Sequence, residues 1–266
     1  LLLGGCAATS DDPTRQGDGL ADEFAEGEAS LSVTPGASTP FEPTFFVARP
    51  DLRRCASPMC GGVFVSAVQH GLTLCSDGQW RPECYVAELD LSALALDPDT
   101  EQRVRDAVSP DVSSARVLFQ GELVEKTFPS GQTLGALRAS AAWLASTPVP
   151  RTRRLFGVVD NGIRCVTTPC PSVAEQRINT HFSRNIDGVD LSNAPGTDEE
   201  KTAALAAIGS GEGLIAQGVN TVVPHAGPAG AATVLMANQF FRKVVGSFID
   251  PCALVRCAAG THCEVR

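Results

Sequence analysis

Ten cysteines are the residues of this 266-residue chain whose type and spacing could do the most chemistry. Thiolates at Cys-x-x-Cys or zinc-ligand spacing indicate redox catalysis or metal binding. Six of the cysteines instead form three pairs that are close in sequence, namely Cys55 with Cys60, Cys75 with Cys84, and Cys165 with Cys170. Such pairs are typical of structural disulfides, so we predict three disulfides and an oxidising compartment.

Three further cysteines, Cys252, Cys257 and Cys263, have the spacing Cys-x4-Cys-x5-Cys near the C-terminus. We expect them to form disulfides, but the sequence does not assign their partners. The spacing resembles the opening of follistatin-like or trypsin-inhibitor-like modules, which need more cysteines downstream. We therefore expect residues 250–266 to be a truncated Cys-rich tail.

The four histidines show no metal-ligand spacing; they are His70, His181, His225 and His262. The sequence also lacks the motifs of metalloproteases, serine hydrolases and nucleotide-binding loops. We therefore predict that the protein is not an enzyme and uses no metal and no cofactor. An envelope hydrolase is the alternative if the fold gathers His181 or His225 with acidic side chains.

One aromatic side chain is a candidate for contact with a partner. Trp80, followed by Arg81, lies in the loop that Cys75 and Cys84 close. An indole at this place either packs under the loop or projects from it as a contact anchor. We take Trp80 and Arg81 as contact candidates.

The first residues, Leu1-Leu2-Leu3-Gly4-Gly5-Cys6, resemble the end of a bacterial lipoprotein signal in which Cys6 is acylated. The alternative is an ordinary secretory signal that is cleaved further on. On the lipoprotein reading, residues 1–6 are residual signal peptide and the acidic, Pro- and Ser-containing segment 7–43 is a disordered tether. Ala7 after the lipid site favours the outer membrane over the inner one. We expect an exported, lipid-anchored protein of the bacterial cell envelope, with sequence missing at both ends.

Composition narrows the classes of partner. The formal net charge of -9 opposes binding to nucleic acid or to anionic lipid headgroups. A hydrophobic content of 43% is enough for a packed core, and no apolar run is long enough for a membrane-spanning helix. Membrane contact is therefore expected through the lipid anchor alone.

The body of the chain contains an internal duplication. Four motifs recur in the same order: Arg54-Cys55-x4-Cys60 as Arg164-Cys165-x4-Cys170, Leu89–Ser92 as Val189–Ser192, Gln120-Gly121 as Gln217-Gly218, and Leu137–Ser140 as Leu235–Asn238. The offset is 110 residues at the first motif and about 100 at the others, and only the first copy carries the Cys75–Cys84 loop. We predict two homologous domains, 45–147 and 153–246, joined by a proline-containing linker at 146–151.

Each copy has the pattern of three strands, one helix and two strands. Thr197 with Glu200 forms a capping-box sequence, and Asp97-Pro98 provides a cap and a first-turn proline in the other copy. We predict a strand-dominated α+β chain with two tandem, small, barrel-like domains similar to the OB-fold.

The segments around Cys55–Cys60 and Cys165–Cys170 look like the paired repeats of an uncharacterised bacterial lipoprotein family, a domain of unknown function. The resemblance covers about residues 45–245. It implies an exported envelope protein, often with a short Cys-rich tail, and it brings no catalytic residues with it.

The leading hypothesis is a non-enzymatic, lipid-anchored envelope protein that binds an extracytoplasmic protein or polymer partner through tandem disulfide-pinned domains. The alternative is a secreted protease inhibitor that presents a disulfide-bounded loop, either residues 75–84 or the C-terminal tail.

Overall fold

The computed structural model describes residues 44–111, 113–150 and 154–246. The predictions of lipidation at Cys6, of an acidic tether and of disulfides at Cys252, Cys257 and Cys263 lie outside the described residues. Repeat 1 is used below for the described residues up to 150, and repeat 2 for residues 154–246.

Repeat 1 contains eight strands and one α-helix, preceded by a single 3-10 turn at Ser92–Leu94. In chain order the elements are β1 (Phe45–Pro50), β2 (Val63–Ala67), β3 (Thr73–Leu74), β4 (Trp80–Arg81), β5 (Cys84–Val86), β6 (Glu88–Asp90), α1 (Pro98–Asp106), β7 (Ser114–Thr127) and β8 (Thr133–Pro150).

Repeat 2 has the same order without a counterpart of the β3–β4 hairpin. Its elements are β9 (Leu155–Asp160), β10 (Val173–Arg177), β11 (Ser183–Ile186), β12 (Gly188–Asp190), α2 (Asp198–Gly209), β13 (Leu214–Gly227) and β14 (Gly230–Lys243). Repeat 2 therefore has four strands before its helix, where the sequence pattern predicts three.

Twelve of these strands, from both repeats, join in one sheet, whose main path runs β11-β10-β9-β13-β14-β8-β7-β1-β2-β5. Strands β3 and β4 form a separate two-stranded sheet. Strands β6 and β12 add to β8 and β14 as parallel neighbours. The strand-dominated prediction is confirmed, whereas two separate OB-like barrels are not, because β8 and β14 pair across the boundary between the repeats.

The seam between the repeats is symmetric. Strands β8 and β14 are equivalent in sequence and pair antiparallel, with Leu144 opposite Arg242 at the centre. On either side of this pair, Trp143 lies opposite Lys243 and Ala145 lies opposite Phe241. Since Trp143 and Phe241 hold equivalent positions 98 residues apart, the seam has the pattern of a twofold axis.

The predicted proline linker is different in the structure. Residues 146–150 continue β8, and Val149 and Pro150 pair with Ala115 and Ser114 of β7. Proline lacks a backbone donor and is tolerated at the end of a strand. Pairing with β7 therefore determines where β8 ends, although the local sequence favours a linker.

The recurring Gln-Gly motif is a strand bulge in both repeats. Register shifts lie between Gln120 and Gly121 in β7 and between Gln217 and Gly218 in β13. A Cβ atom on Gly121 would lie 2.2 Å from the Arg138 carbonyl oxygen, so only glycine fits. The bulge therefore explains why this dipeptide recurs.

Both helices begin as the sequence indicates. The Thr197 hydroxyl accepts a hydrogen bond from the Glu200 amide, and the Glu200 carboxylate accepts one from the Thr197 amide. In repeat 1 the Asp97 carboxylate accepts from the Thr100 amide, directly before Pro98. These contacts satisfy donors that the first helical turn leaves free.

Three apolar clusters hold the fold together. One lies in each repeat between the sheet and its helix, where Val104 of α1 and Ala204 of α2 are fully buried. The third lies between the repeats and includes Phe45, Trp143 and Phe241, all fully buried. The repeats therefore share a core as well as a sheet.

Two turn residues fasten the repeats to each other in a reciprocal way. The Gln69 amide nitrogen donates to the carbonyl oxygens of Leu155 and Ile178, each at 3.0 Å. The Asn179 amide nitrogen donates to the carbonyl oxygens of Phe45 and Val68 at 2.8 and 2.9 Å. We call Gln69 and Asn179, which hold equivalent turn positions at positive φ, the inter-repeat clasp.

Candidate functional site

The structure contains the three predicted disulfides of the described residues, which are Cys55–Cys60, Cys75–Cys84 and Cys165–Cys170. The first and third close equivalent corners between the first two strands of each repeat. The second joins the start of the loop after β3 to β5 and has no equivalent in repeat 2.

The Cys75–Cys84 loop is an ordered hairpin. Leu74 of β3 pairs with Trp80 of β4, and the Cys75 amide donates to the Gln79 carbonyl oxygen at 2.8 Å. At the tip, the Asp77 carboxylate lies 2.7 Å from the Arg81 guanidinium, which holds the pKa of Asp77 below its usual value. The hairpin therefore presents its side chains from a fixed backbone.

Trp80 projects from this hairpin instead of packing under it. Its side chain is 63% exposed, and Leu72 and Leu74 beside it are each 49% exposed. The three side chains line a groove of about 580 Å³ whose other walls include Phe46, Ala67 and Leu123. We call this the Trp80 groove. Large apolar side chains exposed together in this way are typical of a contact surface.

Charged groups around the Trp80 groove have partners within the chain. Arg81 pairs with Asp77 as described, and Glu122, which lines the groove, lies 2.9 Å from Arg138. Behind the hairpin the Glu83 carboxylate lies 2.6 Å from Arg49. The groove therefore presents an apolar surface whose neighbouring charges are already compensated.

The adjoining disulfide corner is held by aromatic and basic side chains. The Tyr85 hydroxyl donates to the Pro58 carbonyl oxygen at 2.7 Å, and the Arg53 guanidinium stacks over the Tyr85 ring at 4.7 Å. Arg53 also binds the fully buried Asp51 side chain at 2.9 Å, and this hydrogen bond lowers the pKa of Asp51. The Cys55–Cys60 corner is thus a structural part of repeat 1.

Comparison with known families identifies the domain. A family described as a domain of unknown function, DUF6748, matches residues 44–247. The chain belongs to this family. The match includes both repeats, so the DUF6748 domain is the whole two-repeat sheet. No curated protein and no solved structure matches the chain.

Repeat 2 of the DUF6748 domain has a polar cluster where repeat 1 has the Cys75–Cys84 disulfide. Glu175 is fully buried, and its carboxylate oxygens accept hydrogen bonds from the Asn220 amide at 2.8 and 3.1 Å. The Arg184 Nε donates to the same carboxylate at 3.1 Å. We call these three residues the Glu175 cluster.

Sequence reasoning missed the Glu175 cluster. A signal for it was present, because Glu175 stands two residues after Val173 in the β10 strand pattern and so shares its inward face. Its partners lie 9 and 45 residues further along the chain.

The two histidines that the envelope-hydrolase alternative names are surface residues. His181 lies in the turn before β11 and His225 lies near the end of β13, and both are exposed. Among the residues that the structure describes, no group of three or more His, Cys, Asp or Glu side chains could hold a metal ion. The same described part of the chain has no helix that is long and apolar enough to cross a membrane.

Proposed function

We propose that this chain is a non-enzymatic, lipid-anchored protein of the bacterial cell envelope that binds a protein partner through the Trp80 groove. The carrying observation is the exposed Trp80 side chain, with Leu72 and Leu74, on a hairpin closed by a disulfide. The lipid anchor on Cys6 and delivery to the outer membrane are part of the proposal.

The disulfides support the location. Three disulfides within the described residues indicate an extracytoplasmic protein, because thiols stay reduced in the cytosol of most cells. The lipoprotein-like start of the sequence supports anchoring at Cys6.

The composition of the groove favours a protein over a polysaccharide. Its large exposed side chains are one indole and two leucines, and the exposed polar residues Thr44, His70 and Glu122 also line it. Leucine side chains contact apolar side chains better than sugar hydroxyls. The charges at its edge are paired within the chain, so an uncharged, apolar contact region of the partner fits it. Partner binding then costs no desolvation of unpaired charge at the groove.

Site-specific photo-crosslinking tests this function. A photoreactive amino acid replaces Leu74 in the full-length protein, in its native envelope, with and without Trp80→Ala. We expect one discrete crosslinked protein species whose yield falls about tenfold in Trp80→Ala. The matched control, Phe182→Ala, removes another exposed aromatic side chain, in repeat 2, and is expected to leave the yield unchanged.

Two results contradict the proposal. A crosslinked yield that does not change in Trp80→Ala excludes the groove as the contact surface. A heterogeneous carbohydrate product in place of a protein species assigns the groove to an envelope polymer.

A protease inhibitor is the second candidate, because the same hairpin is a disulfide-bounded, exposed loop with Trp80 and Arg81 on it. Titration of the purified chain against serine and cysteine proteases tests this function. Inhibition at micromolar concentration that Arg81→Ala removes supports the inhibitor, and no inhibition excludes it.

A further inference from the structure

A second cavity lies where the two repeats meet, and it shares only Ala67 and His70 with the lining of the Trp80 groove. Its volume is about 270 Å³. Buried apolar side chains from both repeats line it: Val47, Val68, Leu118, Val149, Leu155 and Phe241. Ala67, Ala115 and Pro150 also line it. Ser66, Gln69 and His70 are its polar lining residues and are more exposed than the buried apolar side chains named above, so they form its polar rim.

The Ser66 position at the rim of this cavity differs between the repeats. Ser66 lies opposite Val47 in the β1–β2 pair, and the equivalent position in the β9–β10 pair is Gln176, opposite Gly157. The Ser66 side chain is three heavy atoms shorter than that of Gln176. Val47 in turn has three side-chain heavy atoms where Gly157 has none, so a Gln at position 66 would lack the space that Gln176 has above a glycine.

The polar groups at the rim are mostly occupied. The Gln69 amide nitrogen donates to two carbonyl oxygens of repeat 2, and its oxygen accepts from Arg177 Nε at 3.2 Å. The His70 Nε2 lies 2.8 Å from the Asn179 carbonyl oxygen. No Lys, Arg, Asp or Glu side chain is among the described residues that line the cavity. A charged ligand would therefore find no counter-ion there.

We propose that this inter-repeat cavity binds a small, uncharged, mainly apolar molecule. A dry cavity of roughly 150 Å³ with Leu, Ile and Phe walls is large enough to bind benzene. The present cavity is almost twice that size, and it fits a substituted aromatic ring or a short alkyl chain. One polar group of such a molecule can reach the Ser66 hydroxyl at the rim. This inference does not depend on the function of the Trp80 groove.

Ligand-observed NMR with toluene and 1-hexanol tests the proposal on the intact chain. We expect saturable binding of at least one of these probes. Ser66→Gln introduces the side chain of repeat 2 and is expected to weaken binding at least tenfold. Ser66→Ala keeps the space and is the matched control, with toluene affinity expected to change less than threefold.

Two further variants make the test decisive. Ala115→Leu reduces the cavity from β7 and replaces Ser66→Gln if that variant does not fold, as judged by circular dichroism. Trp80→Ala is expected to leave probe binding unchanged. The proposal is wrong if neither probe binds saturably, if cavity-filling variants bind as tightly as the wild type, or if Trp80→Ala abolishes binding.

Discussion

One equivalent buried position is apolar in repeat 1 and charged in repeat 2. In repeat 1, Val65 lies opposite Cys84 in the β2–β5 pair, and Cys84 forms the disulfide with Cys75. In repeat 2, Glu175 lies opposite Arg184 in the equivalent β10–β11 pair. A third position belongs to this comparison. It is Leu123 on β7 in repeat 1 and the equivalent Asn220 on β13 in repeat 2.

This difference shows that the backbone fold requires neither the disulfide of repeat 1 nor the Glu175 cluster of repeat 2. Repeat 1 fills the position with apolar atoms and fixes it with a covalent bond. Repeat 2 buries a carboxylate and must compensate it with a guanidinium and an amide, because an unpaired buried charge is costly. We therefore expect repeat 2 to depend on specific partners and repeat 1 to depend on its disulfide.

The largest expected effect comes from Asn220→Leu, which introduces the residue of repeat 1 into the Glu175 cluster. It removes both amide hydrogen bonds from the buried carboxylate and leaves it with Arg184 alone. We expect the free energy of unfolding to fall by about 3 kcal/mol. Urea denaturation without reductant measures this change, and a loss below about 1 kcal/mol contradicts it.

Removal of the Cys75–Cys84 disulfide is expected to have the second largest effect on stability. In Cys75→Ala/Cys84→Ala, the loss of a loop with a sequence separation of 9 is expected to reduce the free energy of unfolding by about 2–3 kcal/mol. The chain-entropy contribution of the disulfide is the reason. Thermal and urea unfolding of the double variant check the change. Stability equal to the wild type would show that the β3–β4 hairpin needs no covalent closure.

The helix caps provide a calibration, because they are alike in the two repeats. Asp97→Ala and Thr197→Ala each remove a side-chain acceptor at a helix N-terminus. We expect each to lower the free energy of unfolding by about 1 kcal/mol. A difference greater than about 1 kcal/mol between them would mean that the repeats differ in stability beyond the Glu175 cluster.

The smallest expected effect comes from converting repeat 2 to the chemistry of repeat 1. Glu175→Val/Asn220→Leu removes the buried carboxylate together with its amide partner and leaves Arg184, 34% exposed, free to turn to solvent. We expect stability within about 1 kcal/mol of the wild type, since apolar replacement of a buried polar pair is often neutral. A double-mutant cycle with the single variants measures the coupling. Additive losses would contradict the compensation described above.

Local features of the fold could be predicted from the sequence, because their signals lie within a few residues. The cap at Thr197 and the disulfide corner at Cys165 are examples. Trp80 is an intermediate case: its loop could be located, but whether the indole packs or projects depends on how the hairpin sits on the sheet.

Long-range features could not be predicted in this way. Asn179 has the pattern of an ordinary turn residue, yet its side-chain amide donates a hydrogen bond to the carbonyl oxygen of Phe45, which is 134 residues away. Glu175 likewise has the pattern of an ordinary polar strand residue, and its partner Asn220 lies 45 residues away on β13. Pro148 and Pro150 favour a linker on local propensity. The continuation of β8 through them depends on its pairing with β7, which the local sequence does not show.

The symmetric seam between β8 and β14 has an evolutionary consequence. A surface in which the same strand meets itself across a twofold axis is the contact of a homodimer, and here it lies within one chain. Two identical subunits must accept every substitution twice, at both sides of the axis. Fusion into one chain removes that constraint, so that one half could acquire a disulfide hairpin with an exposed tryptophan while the other acquired a buried carboxylate.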